Sequence, residues 1–137
     1  MSEPRRIRLF RTRGWHIADH SDNYAIVDRR SVYGNPWTIA GPVSGKWAVQ
    51  HDAQPWPIVA EFDTKDKAAA FAVEQYRCWL TNDEFAAQVP KLSLTRDWIL
   101  EHLHELYGKD LACWCGESSP CHATVLLALA AQAGGIR

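Results

Sequence analysis

Leu111-Ala112-Cys113-Trp114-Cys115-Gly116-Glu117-Ser118-Ser119-Pro120-Cys121-His122 runs from a short apolar segment, through a turn rich in Gly, Ser and Pro, into an apolar stretch that continues to Ala131. A short apolar run bounded by turn residues reads as a buried strand, here Leu111 to Trp114. From His122 to Ala131 apolar residues fall on nearly every helical face, so that helix is expected at the centre of the molecule. Upstream, Ser93 or Thr95 opens a helix with Trp98, Ile99, Leu103, Leu106 and Tyr107 at inward positions, and Gly108 is its natural stop. Helix, glycine, strand, turn, helix is the order of a strand covered by helices. The expected class is α/β, a small mixed sheet packed with three or four helices. The alternative is α+β with an N-terminal antiparallel sheet.

Farther out, Asp63 or Thr64 caps a helix whose apolar residues Ala68, Phe71, Ala72, Tyr76 and Trp79 recur at steps of three and four. A short helix over Asp83 to Gln88 is stopped by Pro90. The first half is strand-like: Ile7 to Phe10, Trp15 to Ile17 and Tyr24 to Val27 are short candidates, and Lys46 to Gln50 with Ile58 to Phe62 resembles a hairpin. Gly34-Asn35-Pro36-Trp37 is a turn by composition, with Gly34 suited to positive φ and Pro36 forcing Asn35 out of the helical region. The closing Gly134-Gly135 is read as freeing the tail. Neither an internal repeat nor a linker is visible, so residues 1–137 read as one domain.

The chain has 137 residues, 47% apolar and 23% charged, a globular composition rather than a disordered one. A net charge of −1 gives no global electrostatic case for nucleic acid or membrane. Locally, Arg5, Arg6, Arg8, Arg11 and Arg13 crowd the N-terminus, either as a solvated edge strand or as a phosphate-binding arm. Seven Trp spread along the chain are expected to be mostly core. No apolar stretch is long enough to span a bilayer and no secretory h-region opens the chain, so a cytoplasmic protein without membrane contact is expected.

In a reducing compartment, four cysteines of which three cluster read as metal or redox chemistry before they read as disulfides. Cys113, Cys115, Cys121 and His122 are the expected metal donors, and zinc is the expected ion because it favours thiolate and imidazole ligands. The spacing is not that of a standard zinc finger. Cys121 and His122 are adjacent and diverge unless the backbone turns sharply, so a three-donor set stays open, as does a contribution from Cys78, His102 or His104. The rival reading is an activated thiol, with Cys121 near a helix N-terminus whose dipole favours thiolate. A zinc deaminase would need His-x-Glu before Pro-Cys-x-x-Cys, and both that motif and the second cysteine are missing. Walker, Rossmann and Ser-His-Asp signatures are missing too.

The sequence resembles domain of unknown function 4326, a family of small proteins from bacteriophages and bacteria. The resemblance rests on Arg30-Ser31 leading into Gly34-Asn35-Pro36-Trp37, on Tyr76-Arg77-x-Trp79-Leu80, and on Gly108-Lys109-Asp110-Leu111-Ala112-Cys113-Trp114-Cys115 with Pro120-Cys121-His122 and Val125-Leu126-Leu127. It covers about residues 26 to 131. It implies a shared site and a phage setting, but its name implies no reaction. Relatives run quickly from the Gly-Asn-Pro turn into the first helix, whereas this chain carries an insertion at about 41–62. They also often have an acidic residue where this chain has Thr124, so a reaction needing that carboxylate would not run here.

Arg30, Ser31, Asn35 and Lys109 are polar residues of these segments and the expected ligand-binding set. Two functions follow. The leading one is a zinc-stabilised small binding module, a phage accessory protein acting on a host protein or nucleic acid in the host cytoplasm. The alternative is an enzyme acting on a nucleotide-like or other phosphate-bearing small molecule through the Cys/His site. Four protein donors closing the ion would favour the first, and an open position or a polar pocket containing Arg30 and Lys109 would favour the second.

Overall fold

The structure is a computed structural model that describes residues 3–51, 58–116 and 118–135. In chain order these form β1 (Arg6–Arg8), β2 (Tyr24–Ile26), β3 (Trp37–Val43), β4 (Lys46–His51), β5 (Ile58–Phe62), α1 (Lys65–Thr81), α2 (Asp83–Ala87), α3 (Ser93–His102), β6 (Asp110–Cys113) and α4 (His122–Gly135). The class is α/β, as expected, with the strands divided between two three-stranded sheets.

β6 lies between β1 and β2 and is parallel to both, with Arg8 opposite Cys113 and Ile26 opposite Ala112. A central parallel strand is covered on both faces, which is why Leu111, Ala112 and Cys113 are all buried and consecutive. Parallel pairing also brings the carboxyl ends of all three strands to one edge. The segments after Arg8, Ile26 and Cys113 therefore leave the sheet together, and that edge carries the site.

The second sheet is an antiparallel meander, β3-β4-β5, built largely from the insertion. Ser44 and Gly45, with φ of 51° and 74°, turn β3 into β4 in the doubly positive pattern that matches strand twist. Thr64 caps α1 by accepting from the Lys67 N–H. The buried stripe Ala68, Ala72, Tyr76 and Trp79 of α1 meets Trp37 and Val49 of the meander, Ile99 of α3, Leu111 of β6 and Leu126 of α4 in one cluster. The opposite face of the parallel sheet is covered by a smaller cluster in which Trp15 and Ile17 pack on Ile7, Leu9 and Ala112.

Several local expectations are corrected. The strand expected from Trp15 to Ile17 is instead loop followed by a 3₁₀ turn at Ile17–Asp19; its apolar pair caps the sheet and does not extend it. Trp98 and Tyr107 are 38% and 55% exposed, so only Ile99, Leu103 and Leu106 of the expected inward set are buried. After His102 the chain tightens into a 3₁₀ turn over Leu103–Leu106, which rotates later side chains off the α-helical stripe. Helix α4 runs on through Gly134 and Gly135, where Gly134 provides a flat seat for the Tyr107 ring. Gly34 does not take positive φ; a Cβ there would lie 2.6 Å from the Arg29 carbonyl oxygen, so close backbone approach requires the glycine. Of the tryptophans, Trp37 and Trp79 are fully core, Trp15 and Trp47 are half-buried, and Trp98 and Trp114 are exposed. Trp56 lies outside the described residues, as does the Pro-rich connection over 52–57. No helix among the described residues is long and apolar enough to cross a membrane.

Candidate metal centre and adjoining cavity

At the carboxyl edge the chain leaves β6 at Cys113, turns with Ser119 N–H donating to the Gly116 carbonyl, and enters α4 with Thr124 N–H donating to the Cys121 carbonyl. This short excursion brings the sulfurs of Cys113, Cys115 and Cys121 within 4.8 Å of one another. The Cys113 and Cys121 sulfurs are 2.9 Å apart, and all three residues are free cysteines. Thiolates held about 2.3 Å from a tetrahedral ion stand about 3.8 Å apart, so an ion fits once that pair opens by about 0.9 Å, within the reach of side-chain rotation. The three sulfurs can hold a metal ion.

Arg6 reaches the same cluster from β1. Its guanidinium donates to Cys113 Sγ at 3.6 Å, to the Cys115 carbonyl at 3.0 Å and to the Gly116 carbonyl at 2.7 Å. The Cys113 thiol is held far below the ordinary thiol range, because Cys115 and Cys121 hydrogen-bond to its sulfur and Arg6 adds a third donor. Cys115 and Cys121 are pushed up for the complementary reason, since each keeps its proton to share with the Cys113 sulfur.

His122 is brought near but does not join the group of three sulfurs. Burial lowers its pKa and keeps the imidazole neutral, while its ring packs edge-on against Tyr76. Nε2 hydrogen-bonds the Val27 carbonyl, which can only accept, so the proton sits on Nε2 and Nδ1 carries the lone pair, 3.9 Å from Cys121 Sγ. Cys78 lies elsewhere, on α1 beside Glu74 and Arg77, and His102 Nδ1 contacts the Trp98 carbonyl.

A cavity of about 400 Å³ opens onto the three cysteines and His122. Arg11, Arg29 and Arg30 stand on it, with Trp37 and Ile39 among its apolar walls. Asp28 organises this mouth: its carboxylate accepts from the Trp114 indole N–H and from the Arg30 backbone N–H. The Arg11 guanidinium stands over the Trp114 ring, 5.2 Å from its centre.

The four polar residues expected to bind a ligand are placed differently from one another. Arg30 lines the cavity. Asn35 lines it too, but its amide is engaged at both ends, donating to the Ala72 carbonyl and accepting from the Trp37 N–H, so it clamps the turn to α1. Ser31 hydrogen-bonds the Asp28 carbonyl and is not among the lining residues. Lys109 precedes β6, at the edge opposite Cys113, about 13 Å away along four residues of strand, and does not line the cavity. Reading the sequence placed Arg6 and Arg11 only in an arginine-rich N-terminus, edge strand or phosphate-binding arm, without linking them to the cysteines, and it missed Asp28 and Arg29 as site residues. The available signal for the latter pair was an Asp-Arg-Arg run just after a strand candidate.

Fold and site together define a small α/β protein with a thiol cluster and an arginine-rimmed cavity at the carboxyl edge of a parallel sheet. The chain belongs to the family described as Domain of unknown function (DUF4326), which matches residues 7–132, from the second residue of β1, and so takes in Arg11 and the cysteine motif but not Arg6. No curated protein and no solved structure matches it.

Proposed function

We propose that the protein holds a zinc ion on Cys113, Cys115 and Cys121 and binds a small anionic molecule in the adjoining cavity, with the ion's fourth position turned toward that molecule. The observation that carries this reading is the division of labour between neighbours. The three sulfurs converge within 4.8 Å and line the cavity, while His122, whose Nδ1 is 3.9 Å from Cys121 Sγ, stands outside that group. Structural zinc sites are closed by four protein ligands, whereas a site with three keeps a place for water or substrate. An ion in such a site supplies Lewis-acid polarisation or a bound water of lowered pKa. The chain's own residues do the rest: Arg6 offsets the net charge of three thiolates on a divalent ion, and the cavity arginines draw an anion toward it. The reading requires a reducing compartment such as the cytoplasm, the host's if the protein is phage-encoded.

A zinc-closed binding module acting on a host protein or nucleic acid is the competing function, and it needs Nδ1 of His122 as the fourth ligand. Metal analysis and X-ray absorption of untagged protein separate the two. One zinc per chain, with three sulfurs, one oxygen and no imidazole scattering, is the expected result. Metal-free folded protein, or zinc with an imidazole in its first shell, overturns the proposal.

A further inference from the structure

Three guanidiniums meet at the cavity from two separate segments, Arg11 after β1 and Arg29 with Arg30 after β2. Among the described residues the ion pairs are Lys67–Asp63, Arg77–Glu74, Arg96–Asp83 and His102–Glu105, and none involves these arginines. The cavity's carboxylate, Asp28, is already engaged by the indole and backbone N–H groups of Trp114 and Arg30. Among the described residues that line the cavity, three arginines stand against the single carboxylate of Asp28, in a chain whose net charge is −1. Arginines gathered on a concavity and free of carboxylate partners suit phosphate oxygens, because the planar fork donates in pairs.

The rest of the cavity does not suit a bare phosphate. Its inner wall is apolar, with Trp37, Ile39 and Val73, and its volume of about 400 Å³ is within the range of sites for cofactor-sized ligands. At the mouth the Trp114 indole is 44% exposed, fixed by its bond to Asp28 and overlain by Arg11, so a flat aromatic face and a cation are presented together. The location agrees: ligands of sheets with parallel strands sit outside the carboxyl ends of those strands.

We infer that the cavity takes a nucleoside phosphate, its phosphate on Arg29 and Arg30 and its ring against Trp114 and the apolar wall. This deepens the proposed function and rests on its reading of the cavity as a small-molecule site, but the arginines and the indole act whether or not the ion is bound.

The test is calorimetric titration of the purified full chain, its zinc content measured on the same sample. Ligands are the four common ribonucleoside mono- and diphosphates, the matching nucleosides and inorganic phosphate. At least one nucleotide is expected to bind, with its nucleoside and inorganic phosphate each weaker by about tenfold or more. The double variant R29A/R30A should weaken nucleotide binding by about tenfold or more with unchanged zinc content. W114A should bring the nucleotide down toward inorganic phosphate. Zinc-loaded protein that binds no nucleotide, or binds inorganic phosphate equally well, overturns the inference and leaves the zinc reading standing. Nucleotide binding by protein that never acquires metal does the reverse.

Discussion

Arg6→Ala removes a guanidinium that donates to Cys113 Sγ at 3.6 Å and to the carbonyls of Cys115 and Gly116 at 3.0 and 2.7 Å. Hydrogen bonds from a cationic donor contribute about 1.5–3 kcal/mol each where water is excluded. Arg6 is only half-buried, and water reaches the two carbonyls once the side chain is gone. The total loss is therefore set near the low end, about 2–3 kcal/mol. For a chain of 137 residues each kcal/mol moves the melting temperature by about 3–4 °C, so the variant should melt about 6–12 °C lower. Zinc affinity should fall as well. Three thiolates on a divalent ion carry one net negative charge (2 − 3 = −1), which Arg6 balances, and losing such an outer partner costs about tenfold or more in metal affinity. Arg6→Lys keeps the charge but not the two-pronged donation, so it should retain most zinc affinity while recovering little thermal stability. Tryptophan-fluorescence melts and competition against a colorimetric chelator read the two effects separately. An Arg6→Ala protein that melts within about 1 °C of the parent and holds zinc equally well would refute the role given to this residue.

Two glycines separate backbone crowding from side-chain crowding. Gly34→Ala sets a Cβ 2.6 Å from the Arg29 oxygen and 2.7 Å from its Cα, neither of which can swing aside, so urea denaturation should show a loss of more than about 2 kcal/mol. Gly134→Ala makes a shorter contact, 2.2 Å, but with the ring of Tyr107, which is 55% exposed and free to turn outward. Its gain in helix propensity, up to about 1 kcal/mol, should leave overall stability nearly unchanged. Asn35→Ala deletes the bonds to the Ala72 carbonyl and the Trp37 N–H and should cost about 1–3 kcal/mol in the same denaturation, with zinc content retained. Loss of zinc on that substitution would instead mean that the turn belongs to the metal site.

Helical segments were legible in the sequence because their signals are local. Thr64 as a cap, the stripe from Ala68 to Trp79, and the strand-turn-helix order around Cys113 each need only nearby residues to be read. The cysteine cluster was legible for the same reason: Cys113, Cys115 and Cys121 are bound together by a short loop, and a short loop closes at little entropic cost. Strand pairing was not legible. Nothing near Arg6 announces that it will lie beside a strand more than a hundred residues later, in parallel register with Leu111.

The chain order by itself made convergence of the three thiols inexpensive, because a loop of eight residues closes at little entropic cost, though extended it would span about 26 Å. Everything that gives those thiols a surrounding was decided by tertiary structure. Parallel pairing of β1 and β2 with β6 sends their three carboxyl ends to one edge, which brings Arg11 and Asp28 to Trp114, while Arg6, at the start of β1, reaches the cysteine loop with its long side chain. The same polarity leaves Lys109, a near neighbour in sequence, at the far end of the strand. His122 shows the division within one residue: its position beside Cys121 is a matter of sequence, but which nitrogen is free is set by the Val27 carbonyl, ninety-five residues away.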